Sequence, residues 1–376
     1  MEEKMITKDS RKLSFFGIVP PHILDAIAKN GTPEQRTAVQ KTISLSEHHR
    51  SARSARSARI AQNITEISST LTAGPAHKNR IIYNAANTYE LPGSLARKEG
   101  EPATNNAAVD EAYGGLGSTF DLFWNIYNRN SINNAGLDLI ATVHYEQNFD
   151  NAFWNGSQMV LGDGDGKYFN RFTIAIDVIG HELTHGVTGN TAKLAYIGQS
   201  GALNESISDV FGSLVKQYAL KQTAAQADWL IGAGLLAANI SGVALRSMKV
   251  QGTAYNDPIL GKDPQPAHMK DYVNMSYEYD NGGVHINSGI PNRAFYLTAI
   301  ALGGNAWDKA GQIWYHTLTD LRLNTKANFQ DFANLTTDTA KRLYGATERN
   351  TVVNAWQQVG ITVAELRPPE NLHFGP

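Results

Sequence analysis

The spacing of hydrophobic positions changes rhythm along the chain. Over residues 21–29 they fall at Ile23, Leu24 and Ile27, a helical pattern that stops at Asn30-Gly31, a favourable helix end. Thr32-Pro33-Glu34-Gln35 opens a second helix, with Thr32 as N-cap, Pro33 at the first helical position and Gln35 closing a capping box. Val39, Ile43 and Leu45 carry its apolar side to about Ser46. Three Ser-Ala-Arg triplets follow at 51–59. Lacking large apolar side chains they bury nothing, so they read as an exposed linker, either a plain tether or a processing region.

From Ile60 to about Gly166 the segments are alternating and aromatic, broken by Gly, Asn and Asp. Residues 137–145 form the clearest strand, on β-branched content and partial alternation; 158–161 form a second, ended by Gly162-Asp163-Gly164-Asp165-Gly166. Beyond Phe172 the period turns helical, predicting helices over 173–189, 201–221, 288–302, 305–323, 328–343 and 349–359. The expected class is α+β. A small helical leader and basic linker (1–59) precede a β-rich lobe (60–188) and a mainly helical lobe (189–376). A cleft between lobes is a favoured place for a site.

Composition narrows the chemistry. The 376 residues suffice for two domains, and 42% hydrophobic with 18% charged residues is a globular balance. A net charge of -2 gives no general attraction to nucleic acid, although residues 1–60 hold eleven Lys and Arg against six Asp and Glu. The basic leader therefore complements the acidic remainder. No cysteine is present, which excludes thiolate metal ligands, disulfides and a cysteine nucleophile. No apolar run reaches the roughly 18 residues of a membrane helix. The first residues do not form a recognisable secretory signal, so export is expected by another route, with a cytoplasmic location as the alternative.

The chemistry concentrates in His181-Glu182-Leu183-Thr184-His185. Histidines four apart share one helix face and can grip one cation, and Glu182 stands beside the metal within reach of a water as general base. With nineteen residues between it and His185, Glu205 offers a third ligand, which leaves a coordination position open, as catalysis by zinc requires. Asp209, one turn further, can accept the second N–H of a ligating imidazole.

With Asn204 closing the gap, and with the segments 151–160 (NAFWNGSQMV) and 280–289 (DNGGVHINSG), the chain resembles the thermolysin family of metallopeptidases over roughly residues 80–360. The resemblance implies a two-lobed fold with zinc on His181, His185 and Glu205, Asp209 and Asn204 supporting them, and Glu182 as base. It implies that Tyr196 and His285 hydrogen-bond the oxyanion, that Asp280 orients His285, and that Arg246 binds a substrate carbonyl. Asn151, Ala152 and Trp154 match the strand along which a peptide docks. Phe169, Val178 and Leu245 match an apolar pocket for the residue after the scissile bond, implying cleavage before Leu, Ile or Phe. One departure concerns calcium. Of the family's acidic cluster only Asp177 and Asp228 remain, beside Lys216, Leu230 and Ala233. The usual double calcium site is thus not expected, and the Lys216 ammonium is expected between the two acids.

Pro20-Pro21-His22-Ile23-Leu24 is similar to the short propeptides of the protealysin branch. That likeness implies intramolecular inhibition through Pro20, Pro21 and His22, while the residues alone fit a helix-entry turn equally well. Processing is expected within 44–60, either by the enzyme itself at Arg59-Ile60 or by a trypsin-like activator at the triplets. The implied partners are peptide or protein substrates and the leader itself, for a monomer without nucleic-acid or membrane partners. The rival readings are another zinc hydrolase and a latent binding protein.

Overall fold

The computed structural model describes residues 17–44 and 76–363. The Ser-Ala-Arg triplets, Leu45, Arg59-Ile60 and the linker boundary lie outside the described residues. The leader is helical as its pattern predicts: α1 spans Pro21–Asn30 and α2 covers 33–44 of the described residues. The capping box closes, with the Thr32 amide donating to Gln35 Oε1 at 2.7 Å and the Gln35 amide to Thr32 Oγ1 at 3.4 Å. Ile23, Leu24, Ile27 and Val39 are buried, but against the body of the protein as well as each other.

The first lobe is built on one mixed five-stranded sheet of order β2-β1-β3-β5-β4: Arg80–Asn84 (β1), Ser94–Lys98 (β2), Leu139–Val143 (β3), Ala152–Trp154 (β4) and Met159–Leu161 (β5). β3 and β5 fall where the sequence places strands. β1 pairs parallel to β3 and antiparallel to β2, and β4 runs antiparallel to β5, so β4 lies at one edge.

Across this lobe lies a helix that the hydrophobic pattern did not reveal, α3 (Ala107–Tyr127), 21 residues long. Its signals are present. Asn106 caps it by accepting from the Ala108 and Val109 amides, and buried residues recur at Ala112, Leu116, Phe120 and Phe123. Gly114, Gly115 and Gly117 disguise the pattern by lowering helix propensity. A Cβ at Gly115 would collide with the Ile179 side chain, so glycine is the condition for α3 to approach the helix of the metal motif. At Gly114 a Cβ would meet open space.

The second lobe is helical. α4 (Ile176–Gly189) bridges the lobes and α5 (Gly198–Leu220) packs along it. Short two-stranded ribbons join Leu230–Ile231 (β6) to Arg246–Ser247 (β7) and Asn256–Asp257 (β8) to Gly261–Lys262 (β9). Then come α6 (Asp280–Asn287), α7 (Gly289–Leu302), α8 (Lys309–Leu318), α9 (Phe329–Tyr344) and α10 (Ala346–Gln358). α8 is shorter than the expected 305–323; past its C-terminal end the Asp320 carboxylate turns the chain by accepting from the Arg322 amide at 2.9 Å. No helix among the described residues is long and apolar enough to cross a membrane.

The two neighbouring glycines of α3 should respond oppositely to one methyl group. Gly114→Ala should raise stability by about 0.5–1 kcal/mol, whereas Gly115→Ala should lower it by about 1–3 kcal/mol, as read from urea unfolding midpoints.

Candidate metal centre and cleft

α4 presents His181 and His185 one turn apart on the face that meets α5, which presents Glu205 opposite them. His181 Nε2 and His185 Nε2 lie 3.1 Å apart; Glu205 stands 3.4 Å from the first and 3.3 Å from the second. Atoms held at ~2.0–2.1 Å by one tetrahedral ion stand about 3.3 Å apart, so the spacing fits zinc. All three side chains are buried. Glu205 Oε2 has no hydrogen-bond partner, an orphaned carboxylate oxygen that a cation would satisfy.

Glu182 also lies within 4.8 Å of the two histidines. Its environment nevertheless separates it from the ligands. Oε2 accepts the Trp154 amide at 2.9 Å, while Oε1 is buried without a partner. The carboxylate is therefore anchored to the sheet edge and keeps one oxygen free.

The second ring nitrogen of each histidine is fixed. His181 Nδ1 lies 2.8 Å from Asp209 Oδ1, and His185 Nδ1 lies 2.8 Å from Asn204 Oδ1, with Ser208 Oγ at 3.1 Å. An N–H donated at Nδ1 leaves the Nε2 lone pair for a metal. Asp209 does more. It accepts two bonds from Arg246, Nε to Oδ2 at 2.9 Å and Nη2 to Oδ1 at 2.8 Å, and one from Asn292 Nδ2 at 2.8 Å. Burial alone would raise its pKa, but Arg246 and His181 outweigh that and bring it to about 2. Burial likewise opposes charging of Glu205, and His285 and His185 hold its pKa well below the usual range.

On the far side of Glu205 stand Tyr196 and His285. The Tyr196 hydroxyl donates to Glu205 and lies 3.2 Å from His285 Nε2. His285 Nδ1 lies 2.5 Å from Asp280 Oδ1, and the His285 amide donates to Asp280 Oδ2 at 3.0 Å. This clamp needs an unusual turn. Asp280, Asn281, Gly282 and Gly283 have φ of 48°, 49°, 87° and 81°, a left-handed run that side-chain-bearing residues avoid and that Asp, Asn and Gly tolerate best. Burial opposes His285 protonation, but Glu205 and Asp280 raise its pKa.

The leader enters this cleft. Ile18 N–H donates to the Ala152 carbonyl at 3.1 Å, Val19 N–H to Asn151 Oδ1 at 3.1 Å, and Arg246 Nη1 donates to the Ile18 carbonyl at 3.0 Å. Ile18 and Val19 are fully buried, in the same apolar core as Phe169, Val178 and Leu245. Pro20 and Pro21, the residues singled out in the sequence, sit just past the contact: Pro20 is the N-cap of α1 and Pro21 its first residue. His22 Nε2 lies 2.8 Å from the Tyr255 hydroxyl. α1 then holds the second lobe through Asp25 and Tyr279 (2.9 Å), while α2 holds the first through Lys41 and Glu146 (2.6 Å).

Two profiles of known families align with the chain. The thermolysin metallopeptidase catalytic domain matches residues 40–189, and the thermolysin metallopeptidase alpha-helical domain matches 192–361. An extracellular metalloprotease of Pectobacterium carotovorum subsp. carotovorum is 55% identical over 354 residues, 93% of this chain and 97% of the relative. The chain belongs to the thermolysin family of metallopeptidases. Protease PrtS of Photorhabdus sp. (strain Az29) is 48% identical over 352 residues, covering 94% of each chain. The solved precursor of protealysin, a metalloproteinase from Serratia proteamaculans, superposes with a TM-score of 0.82 at 52% identity, over 92% of this chain and 99% of that one. Family membership makes the chain a zinc metallopeptidase, and the resemblance read from the metal motif holds.

Beside α4 a buried lysine lies between two acids, as expected. Lys216 Nζ donates to Asp177 Oδ2 at 2.9 Å, to Asp228 Oδ2 at 3.2 Å and to the Leu230 carbonyl at 2.8 Å. Ala233 brings no carboxylate to this place. Burial would lower the Lys216 pKa, but Asp177 and Asp228 raise it, so the ammonium is charged.

Sequence reasoning missed Ser208, Tyr255, Asn292 and Tyr279. Ser208 is legible afterwards, three residues past Glu205 on the same helix. Asn292 and the two tyrosines come from distant segments and leave no local spacing to read. Replacing Asp209 by Asn should weaken zinc binding about 10–100-fold, measured by competition with a colorimetric chelator.

Proposed function

We propose that the chain is the precursor of a zinc endopeptidase that cuts before bulky hydrophobic residues and is held inactive by its own leader. The observation carrying this reading is the seat of Ile18 and Val19. They engage Ala152, Asn151 and Arg246 through backbone groups alone, as any extended peptide would. An apolar Ile18 at this place supports a preference for Leu, Ile or Phe, with Phe169, Val178 and Leu245 lining the pocket and Trp154 continuing the strand.

His181, His185 and Glu205 would hold a zinc ion, which when bound would supply a Lewis acid and a water of lowered pKa. Glu182, whose Oε1 is buried without a partner, would be the general base that takes the proton of the attacking water and the acid that passes it to the leaving amine. Tyr196 and His285 would donate hydrogen bonds to the developing oxyanion. Asp280 accepts the His285 Nδ1–H and, with Glu205, favours the protonated ring, in which Nε2 also carries a proton that can be donated into the cleft. Asp209 and Asn204 hold the histidine ligands.

The proposed division is a leader and linker over 1–59, a first lobe over 60–188 and a second over 189–376. Maturation by a cut within 44–60 frees a monomer, and the names of its extracellular relatives support action outside the cell. Pro20 and Pro21 favour persistence of the leader, since Pro20 has no N–H and Pro21 commits the chain to α1. Lys216 takes the place of calcium between Asp177 and Asp228.

The precursor should leave casein intact and the matured chain should digest it, with Glu182→Ala lowering the rate about 10²–10⁴-fold. A peptide library in which charged residues are preferred after the cut would overturn the specificity. Removing calcium while zinc is retained should leave the melting temperature unchanged. Lys216→Ala should instead cost about 3–5 kcal/mol in chemical unfolding, by leaving Asp177 buried without its partner.

A further inference from the structure

We propose that His22 is an acid-sensitive latch, whose protonation drives the leader out of the substrate cleft. The inference rests on the reading of the leader as the occupant of that cleft. His22 lies at the start of α1, and its Nε2 is bonded to the Tyr255 hydroxyl at 2.8 Å. Its Nδ1 is shut off from solvent and has no partner, although the residue as a whole is only partly covered. A neutral ring fits: Nε2–H bonds Tyr255 and Nδ1 offers only a lone pair. A protonated ring does not fit, because Nδ1–H becomes a buried donor without an acceptor.

The charges around it point the same way. Burial is the largest influence holding the ring neutral, and His285 and Arg246, both cationic neighbours, add to it; together they bring its pKa down to about 3. The nearby carboxylates are committed elsewhere. Asp209 is bonded to Arg246, His181 and Asn292, and Asp280 to His285. Asp263, which acts on Tyr255, accepts the Ala254 and Gln265 amides.

The sign follows from linkage. A released leader exposes an imidazole with the ordinary value near 6.5, whereas the docked ring charges only near pH 3. Docking is therefore fully favoured above pH ~6.5 and weakens by up to about tenfold for each pH unit below it. Asp25, one turn along α1 and bonded to Tyr279, works in the opposite sense. Burial raises its pKa despite that bond, so docking gains from its protonation as the pH falls. Replacing Asp25 by Asn removes that opposing influence.

The test uses the full-length, zinc-loaded precursor carrying Glu182→Ala, so that it cannot digest itself. Hydrogen exchange of the Ile18 and Val19 amides, corrected for intrinsic rate, reports release of the segment bonded to Ala152 and Asn151. Between about pH 7.5 and about pH 5.5 their protection should fall up to about tenfold, and at least as steeply with Asp25→Asn. With His22→Gln, which keeps a donor for Tyr255 but cannot charge, the fall should be less than about twofold. Equal pH dependence with histidine and glutamine, or none with either, overturns the latch while leaving the inhibitory leader standing. Absence of protection even at about pH 7.5 overturns the leader reading instead. Should His22→Gln not dock, ¹³C-labelled histidine decides: the latch requires the His22 ring to stay neutral down to about pH 5 in docked precursor, and titration near 6.5 refutes it.

Discussion

The Asp209 carboxylate is the interaction on which the centre depends. Fully buried, it accepts hydrogen bonds from His181 of the candidate metal centre, from the arginine that grips the leader's Ile18 carbonyl, and from Asn292. A buried carboxylate is tolerated only when paired and bonded, and here its partners are themselves the working groups. On the proposed reading, metal ligation and peptide binding are consequently not independent features of the cleft. Both histidine orientation and guanidinium orientation are referred to one rigid anion, set by α5 and locked from α7.

Around this anchor the structure arranges charges so that each buried group is answered by another. Glu205 faces three imidazoles, His285 is answered by Asp280, and the Glu182 carboxylate takes a backbone amide from the sheet edge. The lobes meet through these pairs. α4 carries three of the groups, and its close contact with α3 depends on a glycine. A helix that the hydrophobic period failed to announce thus supports the very helix whose motif was easiest to read.

That contrast explains how much was legible. His181, Glu182, His185, Glu205 and Asp209 lie on two helices at spacings fixed by helical geometry, so linear sequence encodes their proximity. Lys216 was legible for a different reason, as a positive residue standing where acids were expected. α3 was hidden because packing outweighed propensity at Gly115. Asn292, Tyr255 and Tyr279 were hidden because their partners are 83, 233 and 254 residues away, distances that only the folded chain removes. In the leader, the diproline drew attention, yet the cleft contacts belong to the two apolar residues before it.

The position of β4 has a bearing on solubility. An edge strand offers unpaired carbonyl and amide groups as a template on which another chain can add, and the apolar floor beside it makes such addition adhesive. Ile18 covers the Ala152 carbonyl of that edge with a strand-like partner from the same molecule. Newly made chains, crowded together before they disperse, therefore meet one another with this edge already closed, and edge-to-edge aggregation loses its starting point.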